Sequence, residues 1–302
     1  MIGWAVLGGA LLAFIIVDTV AGRWHRSGTV ARLHVTPARS GTPGQVLVAF
    51  PGYTMSGELL GAAFAPHLSE HDAMVVVEYA QRGVDVDAIY AAVLAELVRL
   101  AGSGGGTATG TPPALRVFGG SMGGMCAKHF LDRYHRDGAP YGKVVLVVDT
   151  SPSRVADVRR PRWLMALGRW YLGGPAGSAV WALASRLEPR PVAEPDADPV
   201  LIAAFRRATA RVGLPAIASQ AAYIAGFPGL SAGELVRVAE RVVYLHATGP
   251  HRDPVIRVGP AIDGWRYAFP GLAARCIDER HGRWHLPLIE RPAETVRAIL
   301  AS

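Results

Sequence analysis

Residues 119–124, Gly-Gly-Ser-Met-Gly-Gly, restrict the fold of this chain more than any other stretch. They follow an apolar run, Leu115-Arg116-Val117-Phe118, and precede a helical pattern, Met125-Cys126-Ala127-Lys128-His129-Phe130-Leu131. The succession predicts a strand, a sharp turn and a helix, with Ser121 at the apex. A strand that reverses directly into a helix strains the backbone of its apex residue. It also crowds the flanking positions, so Gly119 and Gly123 have to lack a Cβ. The serine hydroxyl is then carried above the sheet edge, where the first N–H groups and the dipole of the helix point. With 35 glycines in 302 residues, the string G-x-S-x-G says little alone. Its place between a strand and a helix gives it meaning.

Around this turn the chain alternates strand and helix patterns. Thr29–Thr36 alternates apolar and polar residues. Gln45–Phe50, Ala73–Val77, Lys143–Val148, Arg241–His246 and Ala273–Ile277 are short apolar runs of the kind buried in parallel sheets. Ser56–Leu68, Val84–Leu100 and about Pro292–Leu300 carry helical spacing. The alternation predicts an α/β domain: a mostly parallel sheet flanked by helices. Residues 151–240 break the pattern. They hold short helical stretches at Trp163–Tyr171, Ser178–Leu187, Pro199–Arg211 and Leu214–Ala225, divided by proline-rich joints. This segment is expected to be a helical cap inserted between two strands, dividing the core into 29–150 and 241–302. Its aromatics, Trp163, Trp170, Tyr171, Trp181, Phe205, Tyr223 and Phe227, are expected to build the cap's core, with a few lining a ligand pocket.

The N-terminal 17 residues carry no charged side chain, and the apolar character continues weakly to Gly22. The basic residues Arg23, His25 and Arg26 follow the run instead of preceding it, which argues against a cleaved signal peptide. Residues 1–22 are therefore expected to be an uncleaved single-pass membrane anchor through residues 1–20, with the following domain on the cytoplasmic side. Secretion after signal cleavage is the alternative. Net charge is +7, but the arginines are scattered and the only lysines are Lys128 and Lys143, so no nucleic-acid partner is expected. Cys126 and Cys276 have no metal-ligand spacing and are expected to be buried free thiols. His67 and His71 lack the H-E-x-x-H order, and Gly102–Pro113 lacks a phosphate-loop lysine. No metal or other cofactor is expected.

At this point the chain resembles the α/β-hydrolase superfamily over roughly residues 29–302. Three stretches carry the resemblance, in the family's order of serine, acid and histidine. The first is the turn Gly119-Gly120-Ser121-Met122-Gly123, which looks like the nucleophile elbow. The second is His246–Val255, with Asp253 just past a late strand. The third is His285-Leu286-Pro287-Leu288-Ile289-Glu290-Arg291-Pro292, similar to the histidine loop. The resemblance implies a serine hydrolase with a catalytic triad. Ser121 would be the nucleophile, His285 the general base that takes its proton, and Asp253 the carboxylate that holds the imidazole tautomer. Rival positions are His281 for the base, and Asp149 or Asp278 for the acid. The backbone N–H groups of Tyr53 and Met122 would form the oxyanion hole. Relatives usually carry His-Gly before the first of these, where this chain has Pro51-Gly52.

A serine at the elbow favours carboxylic esters, thioesters or lipids, cleaved through an acyl-enzyme, with an apolar acyl group fitting an aromatic cap. Acyl transfer or cofactor-free perhydrolase chemistry on the same triad is the alternative within the family. A non-catalytic binding module that retains the fold is the alternative outside it.

Overall fold

The apolar runs pair into a seven-stranded sheet because each places alternate side chains on two faces that are both covered. A computed structural model of the protein describes residues 2–25, 31–80, 84–102, 113–137, 141–142, 144–166, 200, 203–204, 207, 214–247, 253–277, 285 and 287–302. The strands are β1 (Arg32–Thr36), β2 (Gln45–Phe50), β3 (Asp72–Glu78), β4 (Ala114–Gly120), β5 (Val144–Asp149), β6 (Arg241–His246) and β7 (Ala273–Cys276). Their order in the sheet is β1-β3-β2-β4-β5-β6-β7. Among the described strands only β1 is antiparallel to its neighbour; the other pairs are parallel. In β2, Val46, Val48 and Phe50 face one core and Leu47 and Ala49 the other. All five are fully buried, as strands covered on both faces require.

The helices are α1 (Ile2–His25), α2 (Gly57–Phe64), α3 (Val86–Gly102), α4 (Met122–Arg136), α5 (Arg162–Ala166), α6 (Leu214–Gly226), α7 (Val258–Ala268), α8 (Pro287–Glu290) and α9 (Pro292–Leu300). Residues of α3, α4, α6 and α7 join one face of the sheet. Residues of α2 and α9 join the other. The helix predicted over Ser56–Leu68 starts at Gly57 and gives way to a 3₁₀ turn at Ala65–His67, where Pro66 cannot continue the α-helical ladder. Its N-terminus rests on Glu78, whose carboxylate accepts the N–H of Gly57 at 2.5 Å and of Glu58 at 3.2 Å. Helix α7 was not foreseen from the sequence. Its apolar stripe, Val258, Ala261, Trp265 and Ala268, is buried, but glycine and proline in its first turn obscure the pattern.

The expected cap lies partly outside the described residues, as do Trp170, Tyr171, Trp181 and Phe205. Its described part comprises α5, α6 and the loops around them, and contains no strand. Tyr223 and Phe227 pack edge-on against His129 of α4, so they fix α6 and the residue after it to the core. The cysteines form no disulfide. Cys126 is buried as expected, whereas Cys276 is exposed, because β7 is the sheet's edge strand.

The single-pass anchor is not supported. Among the described residues no helix is long and apolar enough to cross a membrane. Seventeen residues before the first charge, rising 1.5 Å each, span about 26 Å, short of a hydrocarbon core of about 30 Å. Asp18 then interrupts the run, and it is buried at 5% exposure. Val6, Leu7, Leu11, Leu12, Ile16 and Val17 of α1 are exposed.

Candidate active site

Strand β2 is followed in sequence by β3 on one side of it, and then by β4 on the other. The carboxyl ends of β2 and β4 therefore meet where the winding changes direction, the place at which open α/β sheets form their crevice. The turns after these two strands are Pro51–Thr54 and Ser121.

Helix α4 begins immediately after Ser121, with no intervening loop. Ser121 has φ +50°, a region that costs a non-glycine residue about 1–3 kcal/mol. Its main-chain groups offset part of this. Its N–H donates to Asp149 O at 2.7 Å, and its carbonyl accepts the Gly124 N–H at 3.0 Å. The close approaches account for the glycines. A Cβ on Gly119 would meet the backbone of Gly124, and one on Gly123 the carbonyl oxygens of Phe50 and Pro51. Gly124, which the five-residue pattern omits, would collide with Ser151. The contact of Gly123 with Pro51 also sets the start of α4 against the turn after β2.

Ser121, Asp253 and His285 come from three separate loops and meet. Ser121 Oγ lies 2.6 Å from His285 Nε2, and His285 Nδ1 lies 2.9 Å from Asp253 Oδ2. A carboxylate can only accept, so His285 carries its proton on Nδ1, and Nε2 faces the serine hydroxyl with a lone pair. The second carboxylate oxygen, Asp253 Oδ1, accepts the N–H groups of Val255 at 2.7 Å and Ile256 at 2.8 Å. Both oxygens are thus fixed, and the residue is 5% exposed.

The loop that carries Asp253 is braced by a segment the sequence did not single out. Arg159 Nε donates to the carbonyl oxygens of Asp253 at 2.8 Å and Ile256 at 3.2 Å. The Arg257 N–H donates to Asp157 O at 2.7 Å. Asp157 in turn accepts the hydroxyl of Ser153 at 2.6 Å. The arginine's role was not legible in the sequence because the brace spans 94 residues.

Of the rivals, His281 and Asp278 lie outside the described residues. Asp149 ends β5 and pairs in register with Gly120 and Leu245, but the carboxylate on His285 is that of Asp253. Asp149 is wholly buried. Its Oδ1 accepts the Thr150 hydroxyl at 2.8 Å, and Oδ2 has no hydrogen-bond partner among the described residues. Burial pushes its carboxyl up to about 7, against weaker downward pulls from the Thr150 hydroxyl and the Leu288 main chain. Burial also pushes the Cys126 thiol up to about 11, which removes it as a nucleophile near neutral pH.

The two expected oxyanion positions lie in the turns that follow β2 and β4. Met122 is the first residue of α4, and Tyr53 lies in the turn after β2. That turn is ordered from both sides: the Tyr79 hydroxyl donates to Pro51 O at 2.9 Å, and the Thr54 N–H donates to Gln220 Oε1 at 2.7 Å. Among the described residues no group of three or more His, Cys, Asp or Glu side chains could hold a metal ion.

No protein-family model matches this chain, and no curated protein matches it. Many solved structures are similar in fold. One is MenH from S. aureus, with a TM-score of 0.61 at 16% identity, covering 89% of this chain and 96% of that one. Another is a thermophilic esterase from Thermogutta terrifontis, with a TM-score of 0.60 at 15% identity, covering 90% and 92%. A third is the esterase RhEst1 from Rhodococcus sp. ECU1013, with a TM-score of 0.59 at 18% identity, covering 91% and 94%. The strand order, the serine turn at the switch point and these likenesses together show that the chain adopts the fold of the α/β-hydrolase superfamily.

Proposed function

We propose that the protein is a serine hydrolase acting on carboxylic esters or thioesters of small molecules. The observation that carries the reading is the relay from Ser121 Oγ through His285 to Asp253, with separations of 2.6 and 2.9 Å. Ser121 attacks the carbonyl carbon while His285 Nε2 takes its proton. Asp253 holds the Nδ1–H tautomer and stabilises the imidazolium that forms. The N–H groups of Tyr53 and Met122 stabilise the tetrahedral oxyanion. His285 then returns the proton to the leaving alcohol or thiol, and water hydrolyses the acyl-enzyme by the same route. Fold neighbours described as esterases and as a type II thioesterase from the borrelidin biosynthetic cluster support this substrate class.

Two experiments test the reading. A fluorophosphonate probe should label Ser121, located by peptide mass spectrometry. Ser121→Ala should lose hydrolysis of p-nitrophenyl esters by on the order of 10³-fold or more while keeping its circular dichroism spectrum. Full turnover by a folded Ser121→Ala protein would overturn Ser121 as the nucleophile, whereas a folded wild type with no turnover and no probe labelling would leave a binding module as the better account.

A further inference from the structure

We propose that Gln220 and Tyr79 are positioning residues for the oxyanion turn, holding the Tyr53 N–H in place from the two ends of that turn. The inference deepens the serine-hydrolase reading and rests on it.

The donor N–H of Tyr53 belongs to the plane shared with the Gly52 carbonyl. The Gly52 oxygen accepts the Met55 N–H at 3.1 Å. In a trans peptide the N–H points opposite to the C=O, so this bond turns the Tyr53 N–H away from the interior of the turn. The planes on either side are each held by one buried side chain. Tyr79, 6% exposed, donates to the Pro51 carbonyl at 2.9 Å and fixes the plane before. Gln220, 4% exposed, accepts the Thr54 N–H at 2.7 Å and fixes the plane after. Thr54 has φ +60°, a left-handed conformation that is unfavourable for a non-glycine residue. The turn therefore needs its outside partner to stay in this form.

Gln220 is suited to the task because α6 is itself tied to the core at two further points. Its neighbour Ser219 accepts the Val84 N–H through Oγ at 3.0 Å, and the Tyr223 hydroxyl lies 2.7 Å from His129 Nδ1 on α4, the helix that follows Ser121. One helix thus references the oxyanion turn and the serine helix to each other. An oxyanion donor works only if its direction is set before charge develops, so these bonds contribute to the transition state and little to substrate binding.

The test compares Gln220→Leu, which deletes the acceptor, with Gln220→Glu, which keeps one, and with Tyr79→Phe, which deletes the other anchor's hydroxyl. With a p-nitrophenyl ester, Gln220→Leu should lower kcat on the order of tenfold, a fraction of the roughly 10²–10³ that removal of a donor costs, with KM little changed. The Ki of a trifluoromethyl ketone, whose hemiketal oxyanion occupies the hole, should rise by the same factor. Gln220→Glu should restore most of the rate. Unchanged kcat and Ki in folded Gln220→Leu, or an equal loss in Gln220→Glu, overturns the proposal. If Gln220→Leu does not fold, Tyr79→Phe decides: a kcat loss with matching Ki supports the proposal, and a wild-type kcat overturns it. Ser121→Ala run alongside separates the two readings. An inactive Ser121→Ala with undisturbed Gln220 and Tyr79 variants refutes only the positioning role, whereas an active Ser121→Ala refutes the reading of Ser121 as nucleophile.

Discussion

At the scale of single residues, hydrogen-bond partners separate two nearby buried acids. Asp253 has two N–H donors and an imidazole on its oxygens. Asp149 has one hydroxyl and an oxygen without a hydrogen-bond partner among the described residues. A carboxyl desolvated in this way holds its proton up to about 7 in the folded protein, against 3.8 for the free group. The native state then binds more protons than the unfolded chain between those values, so this residue's contribution to stability is complete below about 4 and is lost as pH rises towards 7. The gap corresponds to at most roughly 4 kcal/mol. Asp149→Asn, which cannot ionise, should therefore flatten the fall in unfolding free energy between pH 4 and 7.5, measured by urea denaturation at a series of pH values. Parallel pH profiles for the two proteins would refute this account of Asp149.

At the scale of elements, the helices differ in what holds them. Helix α4 is locked by glycine contacts at its start and by an aromatic row further on. In that row Phe130 lies 5.7 Å from Phe50 and 5.4 Å from Tyr134 between ring centroids. Helix α6 is tied by side-chain hydrogen bonds to three separate parts of the core. Helix α1 instead turns seven large aliphatic side chains outward among the described residues, and the sheet it precedes begins only at Arg32. A protein starting at Thr29 should fold with its thermal midpoint within a few degrees of the full chain. It should hydrolyse the same esters, and show less aggregation by light scattering because an exposed apolar surface is gone. Loss of the folded state on truncation would mean that α1, through the buried Asp18, is part of the core.

For the whole molecule, the sheet brings loops from positions 121, 253 and 285 to one edge, and the segment between β5 and β6 buries several apolar side chains. Ile217, Ile224 and Phe227 of this segment are all buried. If the segment between β5 and β6 receives the acyl chain, longer p-nitrophenyl esters should be turned over with higher kcat/KM than the acetate. The gain would have a ceiling of about 0.8 kcal/mol, or fourfold, for each methylene fully buried. A kcat/KM that falls steadily from acetate to octanoate would exclude an apolar acyl pocket.

The sequence by itself determined the local parts of this protein. The period-two and period-3.6 patterns set most strands and helices. The glycines at 119 and 123 announced the strained turn, because backbone crowding at a strand-to-helix reversal is a short-range constraint. The order of serine, aspartate and histidine was read from the resemblance to the α/β-hydrolase superfamily, not from a short-range constraint. What spans the chain was decided only by tertiary structure. The sequence left Asp149 and Asp253 both eligible, and packing put one of them on His285. Gln220 meets Thr54 across 166 residues, and Arg159 meets Asp253 across 94. Such partners share no sequence period, and their hydrogen bonds exist because the sheet stacks distant turns at one edge. The apolar N-terminal run shows the converse. Its composition suggested a membrane span, but the length before the first charge and the burial of that charge are what limit it.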